Sequence, residues 1–134
     1  MNREVKFRGK YRNVWVVGDL VQYGIYKSIR AFGANPLEKP TEYMVVPESV
    51  GEFTGLKDKN GKEIFEGDIV NMKTNYHVSE KPFGWQNVEI IFFDLAFKAR
   101  NKSNHHYNLI EETDEGPYNW DIRGNIFENP ELLT

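Results

Sequence analysis

Glu66 and Asp68 flank Gly67, two carboxylates two positions apart. On an extended strand, side chains at i and i+2 share a face. The pair therefore has the spacing for general acid–base work or for holding a magnesium ion. The competing reading is structural: Asp68 caps a turn through its own carboxylate while Glu66 faces solvent. We prefer it because no third ligand is evident. His77, His105 and His106 are the only histidines. Neighbouring residues on a strand point to opposite faces, so His105 and His106 do not converge on one metal ion. Their setting, NKSNHH, reads as a solvated loop. The serines are Ser28, Ser49, Ser79 and Ser103, and none lies in a G-x-S-x-G nucleophile elbow. Phosphate-binding glycine loops, H-E-x-x-H and the EF-hand pattern are also missing. The expectation is thus no catalytic residue, no cofactor-binding residue and no metal ligand.

Aromatic residues interleaved with basic ones are the remaining chemical lead. Trp15, Tyr23, Tyr26, Phe83 and Trp85 have the faces to stack on bases, while Arg8, Lys10, Arg12, Lys27, Arg30 and Lys81 have the charge to meet phosphates. The alternative is that the rings fill the core of a small β domain, and the apolar neighbours of Trp15 favour that reading for it. Phe83 and Trp85 sit in a Pro- and Gly-containing stretch and remain open to contact duty. The candidate binding surface is therefore Phe83, Trp85, Arg8, Lys10 and Arg12.

Charge is distributed unevenly along the chain. Residues 1–40 hold eight basic and three acidic side chains, whereas residues 41–134 hold nine basic and seventeen acidic ones. A basic face for nucleic acid or an acidic partner is one reading. The other, which we favour, is that the two ends neutralise each other or are simply solvated, since the net charge is −3 and nucleic-acid binders concentrate positive charge. The chain has no cysteine, which excludes disulfides, zinc–thiolate sites, iron–sulfur clusters and thiol nucleophiles. It also has neither the apolar core of a signal peptide nor any run approaching a membrane span. A cytoplasmic protein that does not enter a membrane is expected.

These residues must be positioned by strands. At 134 residues the chain is long enough for one domain, and 14% of it is aromatic, which tilts the expectation toward β structure. Short apolar runs punctuated by Gly, Asn, Asp and Pro replace any long helical period. Val14–Leu20 reads as a strand, continued from Val21 to Ile29 with a turn or bulge at Gly24. Residues 31–41 read as a loop, with two subdomains divided near 31–42 as an option within a single domain spanning 1–134. Tyr43–Val46 is a short strand ended by Pro47, followed by one helical turn and a strand over Gly51–Leu56. Asn60-Gly61 offers two residues that tolerate positive φ and marks a tight reversal. Ile64-Phe65 and Ile69–Lys73 follow, then a loop over 74–86. Val88–Phe93 is apolar throughout and is expected to be a central strand covered on both faces. Phe97–Arg100 alternates, Tyr107–Ile110 is a weaker strand, and Trp120–Phe127 is the last.

Three stretches together resemble the YopX-like family of phage and prophage proteins. Val46–Val70 reads VPESVGEFTGLKDKNGKEIFEGDIV and matches the family segment G-x-F-T-G-L-K-D-K-N-G-K-E-I-x-E-G-D-I-V almost letter for letter. Its motif positions include Gly51, Phe53, Thr54, Gly55, Leu56, Asn60, Gly61, Glu66, Gly67 and Asp68. Lys6–Leu20 supplies KFRGK followed by VWVVGDL, and Gly124–Leu133 supplies GNIFENPELL. The resemblance implies a small, mostly β protein with a compact, branched and barrel-like antiparallel sheet arrangement and only short helical turns. It brings no established activity, cofactor or catalytic residue. A Gly-Asp-x-Val opening to a strand is also similar to SH3-like barrels, a likeness of fold alone. The segments 74–86 and 101–119 are longer than in the plainest members.

Three functions stay in view. The first is a non-enzymatic phage or prophage accessory protein acting on a protein partner or on a second copy of itself. The second is a nucleic-acid binding module. The third is a metal-dependent enzyme built on Glu66, Asp68 or the histidines.

Overall fold

In the computed structural model the period-two alternation of the sequence becomes a chain of antiparallel strands. Residues 4–31, 39–74, 84–109 and 119–134 are described. Among them the strands are β1 (Phe7–Tyr11), β2 (Val14–Tyr23), β3 (Tyr26–Ala31), β4 (Thr41–Val45), β5 (Gly51–Lys57), β6 (Glu63–Phe65), β7 (Asp68–Thr74), β8 (Gly84–Phe93), β9 (Ala96–Arg100), β10 (His106–Asn108) and β11 (Asp121–Asn125). Among the described residues, 3-10 turns run over Pro47–Ser49 and Pro130–Leu133. One sheet has the order β4-β3-β2-β1-β5-β6 and the other β10-β9-β8-β7-β11. The mostly β class is as expected, and both sheets are open, so no closed barrel forms. The chain divides into two compact units, Met1–Gly55 and Leu56–Thr134. The segment 31–42 lies inside the first unit, and 32–38 falls outside the described residues.

In the first unit, β1 was not evident from the sequence because its apolar positions are interrupted by Gly9. The glycine is there for packing: a Cβ on it would sit 2.6 Å from Val45 Cγ2. The sheet curls so that the end of β4 comes back over β1. The Val46 N–H donates to Lys10 O at 3.0 Å, and the Tyr11 and Tyr43 rings lie 5.0 Å apart. Ser49 secures the same corner, accepting the Lys10 N–H at 2.8 Å and donating to Val46 O at 2.6 Å. Pro47 opens the 3-10 turn where its missing N–H costs nothing. Gly18 lets β2 approach β3 so closely that a Cβ would lie 2.1 Å from Arg30 O. Among the described residues of this unit, the buried large apolar side chains are Ile29, Val45 and Phe53.

The second unit holds the larger core: Ile64, Val70, Met72, Val88, Ile90, Ala99, Tyr107, Leu109 and Trp120, with Leu56, Phe97 and Ile122 packed against it. Register explains how these residues meet. Ile122 pairs with Val70, and Val70 with Val88. Ile90 pairs with Ala99, and Ala99 with Tyr107. Directly opposed residues share a face, so these pairs lay an apolar row across the sheet. β8 is its middle strand, as expected, but it is not covered along its whole length. Val88 and Ile90 are fully buried, whereas Phe92 and Phe93 are half exposed because the β8–β9 hairpin projects past the core. Gly84 to Gln86 belong to β8 rather than to a loop.

Gly18→Ala is expected to lower the urea midpoint by an amount equivalent to about 1–3 kcal/mol, because the new methyl meets backbone that cannot rotate away. Gly24 has φ +61° and nothing within 4 Å, so Gly24→Asn, a residue tolerant of that conformation, should leave the midpoint nearly unchanged. Equal losses in the two variants would refute the close β2–β3 approach.

Candidate functional site

The most conspicuous segment of the sequence, Lys57 to Glu63, is organised around one carboxylate. Asp58 is 6% exposed. Its Oδ1 accepts the N–H groups of Asn60 and Lys62, each at 2.9 Å, and its Oδ2 accepts the Ile122 N–H at 3.1 Å. Two further bonds run to the start of β11: Lys59 N–H to Trp120 O at 2.9 Å and Asn60 Nδ2 to Asp121 Oδ1 at 3.3 Å. The reversal itself is closed by Gly61 N–H to Asp58 O and Asp58 N–H to Lys62 O. Gly61 alone takes positive φ, at +80°, and Asn60 does not. The turn is therefore a four-residue reversal with a glycine bulge rather than a two-residue one with both φ values positive. Burial on its own would raise the Asp58 pKa. The Ile122, Lys62 and Asn60 N–H groups and the Lys62 charge outweigh burial and hold it below the ordinary carboxylate value.

The Glu66–Asp68 pair is likewise engaged by the fold. Asp68 is buried, and its Oδ2 accepts the Phe65 N–H at 2.7 Å, the turn-capping role preferred above. Glu66 is half-buried and makes contacts of its own. Gly67, at φ +94°, donates its N–H to Ile90 O and accepts the Ile126 N–H. The histidines diverge: His105 packs on Tyr107 at 5.0 Å, and His106 meets the edge of Phe93 at 4.8 Å. His77 lies outside the described residues. Among the described residues, no three His, Cys, Asp or Glu side chains come together as a metal ion requires.

The expected basic–aromatic surface is only partly assembled. β1 alternation puts Arg8 and Lys10 on one face, opposite Val17 and Trp15 of β2. The Arg8 guanidinium lies 4.6 Å and the Lys10 ammonium 5.0 Å from the Trp15 ring, within cation–π range. Trp15 is half-buried rather than core. Arg12 does not join them. It occupies the β1–β2 turn with φ +54° and lies over Tyr11 at 5.3 Å. Arg30 is paired with Glu42 at 3.3 Å. Trp85 is 56% exposed on β8, in the other unit, and Phe83 and Lys81 lie outside the described residues.

Two hairpin tips, one in each unit, carry exposed apolar side chains, of which the sequence singles out only Tyr23 and Tyr26 as contact rings. The β2–β3 tip presents Tyr23, Ile25 and Tyr26, with Ile25 81% exposed. The β8–β9 tip presents Phe92, Phe93 and Leu95, with Leu95 91% exposed. Asp94 and Leu95 both take left-handed φ, 54° and 65°. This conformation is sparsely populated by a residue as bulky as leucine and is held there by the flanking strands. The signal available in the sequence was Phe-Asp-Leu-Ala between two β-prone runs, which lacks the glycine that usually marks such a turn.

A cavity of about 300 Å³ in the second unit is lined by Gln86, Asn87, Lys102, Leu132, Leu133 and Thr134. Its amides serve the fold. Asn87 Nδ2 donates to Leu132 O, Asn87 Oδ1 accepts from Asn71, and Gln86 Nε2 donates to the Tyr107 hydroxyl. Asn101 completes this network, donating to Gln86 and Tyr107 while its Oδ1 accepts the Ser103 and His105 N–H groups.

Two open antiparallel sheets, turns tied down by buried Asp and Asn side chains, and exposed hairpin tips define a mostly β protein. A family described as YopX protein matches residues 6–134. The chain belongs to the YopX protein family. Among solved structures it is similar to protein EF1440 from Enterococcus faecalis, at 24% identity and a TM-score of 0.55, over 99% of this chain and 100% of that one. That likeness establishes the fold alone. No curated protein matches the chain.

Asp58→Asn places an amide N–H₂ against backbone donors. It should cost about 1.5–3 kcal/mol at neutral pH by chemical denaturation. Because the folded-state pKa is depressed, the carboxylate's contribution is complete above the ordinary value of 3.8. It is lost as pH falls from there through the folded-state value. The stability gap between wild type and Asp58→Asn should therefore be constant at neutral pH and close in acid. A gap that persists unchanged in acid would contradict the role of the charge.

Proposed function

We propose that this protein is a non-enzymatic accessory protein of a phage or prophage, working in the cytoplasm of its bacterial host by binding another protein through an apolar hairpin tip. The observation that carries the reading is Leu95, 91% exposed at φ 65° beside the half-exposed Phe92 and Phe93. Solvent-exposed apolar side chains on a strained turn gain nothing for the isolated fold, and such features are characteristic of contact sites. The absence of catalysis is supported by the use made of the best carboxylates. Asp58 and Asp68 are committed to backbone N–H groups, and a buried acceptor so engaged is not available to a substrate. The family resemblance supports the phage or prophage setting.

Nucleic-acid binding is the second reading, favoured by Arg8 and Lys10 both lying against the Trp15 ring. Against it, the first unit as a whole holds eight basic and six acidic residues, and both cations already engage the ring on which a base would stack.

A photo-crosslinking side chain placed at Leu95 in bacterial cells should give discrete cross-linked species that are absent when the same group is placed at the exposed Lys59. A band at twice the chain mass identifies a second copy as the partner, and other bands identify a different protein. No difference between the two positions would overturn the reading.

A further inference from the structure

The clamp around Asp58 contains a chemically labile bond. Asn60-Gly61 is exposed to water, and glycine has no Cβ to shield its backbone nitrogen. In a flexible chain the Gly61 nitrogen attacks Asn60 Cγ. The new N–Cγ bond closes a succinimide, the Cγ–Nδ2 bond breaks, and ammonia leaves with the proton from Gly61. Water then opens the ring at either carbonyl, giving aspartate or isoaspartate at position 60. We propose that Asn60 is a spontaneous deamidation site which the folded hairpin holds closed, and whose reaction loosens that hairpin.

Both reacting groups are restrained. Asn60 Nδ2 donates to Asp121 Oδ1 at 3.3 Å, which draws the side chain toward β11. The Gly61 N–H that must be lost donates to Asp58 O at 3.0 Å. The Asn60 N–H is bound to Asp58 Oδ1 at 2.9 Å, which fixes the backbone between the two. Ring closure needs the first two bonds broken together, that is, local opening of the hairpin. The reaction is then slowed about tenfold for each ~1.4 kcal/mol that opening requires.

The product does not fit the clamp. A carboxylate at position 60 faces Asp121 across the same short gap, and Asp58 lies beneath it. Arg123 already holds Asp121 Oδ2 at 2.8 Å, so one guanidinium would serve two carboxylates, with Lys59 and Lys62 as the neighbouring cations in sequence. The isoaspartate product also inserts an extra backbone carbon into a turn closed by Gly61 N–H to Asp58 O and Asp58 N–H to Lys62 O. Deamidation thus destabilises the segment that had suppressed it.

The test incubates the full chain in mildly alkaline buffer. It follows the peptide containing position 60 by mass spectrometry, with enzymatic methylation to count isoaspartate. Deamidation should be at least tenfold slower in the folded wild type than in urea. Asp121→Ala, which removes the Asn60 acceptor from a half-buried position, should be faster than wild type while still folded by circular dichroism. The deamidated fraction, and Asn60→Asp made directly, should both unfold at lower urea than Asn60→Gln. Equal rates folded and in urea would overturn the protection. An Asp121→Ala rate matching wild type would overturn the role of that bond. A deamidated fraction as stable as the parent would overturn the loosening.

Discussion

A carboxylate that accepts three backbone N–H groups acts as a piece of secondary structure. Asp58 substitutes for the carbonyls that Asn60, Lys62 and Ile122 would otherwise lack, and it does so from a buried position where water offers little competition. Two of its partners lie in the β5–β6 hairpin, and the third begins β11, sixty-four residues later. Ile122 is also the residue that extends the apolar row to Val70 and Val88. The polar clamp and the apolar row therefore fix the same strand from two sides. Long-range pairing of this kind carries a chain-entropy cost that local strands do not. A charge-assisted contact at the first residues of β11 offsets part of it at the point where register is decided.

The same device recurs on a smaller scale. Asp68 caps Phe65, Asn101 ties Ser103 and His105, and Asn125 accepts from Glu128 while donating to its carboxylate. Each is a buried polar side chain that closes a turn at the end of a strand. In the first unit Ser49 does the same at the Pro47 corner, while inside β1 and β2 Gly9 and Gly18 are close-approach points where a side chain has no room. The turns are thereby held by side-chain acceptors, and the hairpin tips beyond them are left to carry Ile25 and Leu95 into solvent.

Much of the fold was legible. Short apolar runs bounded by Gly, Asn, Asp and Pro located β2, β5 and β7, alternation located β9, the apolar run located β8 as the middle strand, and Pro47 located its 3-10 turn. The Gly-rich motif was recognisable as a hairpin, and its family membership followed from the same letters. What could not be read was set by distant partners. β1 is broken by Gly9, whose reason for being glycine is Val45, thirty-six positions away. The buried Asp58 looks like one more charge on a solvated turn until Ile122 is placed against it. Phe92 and Phe93 look buried because their neighbours in sequence are apolar, and only the reach of the hairpin past the core exposes them. The candidate surface fared in the same way: Arg8 and Lys10 do meet on Trp15, but Arg12 turns to Tyr11, a choice made by its left-handed φ.

Asp58 ties the hairpin to β11, and amide hydrogen exchange tests that tie directly. The Asn60, Lys62 and Ile122 amides should be protected in the wild type and lose protection together in Asp58→Ala, while the Val88 amide in the middle of the sheet keeps its own. Fast exchange at Ile122 in the wild type, or loss at Asn60 and Lys62 with Ile122 unaffected, would contradict it.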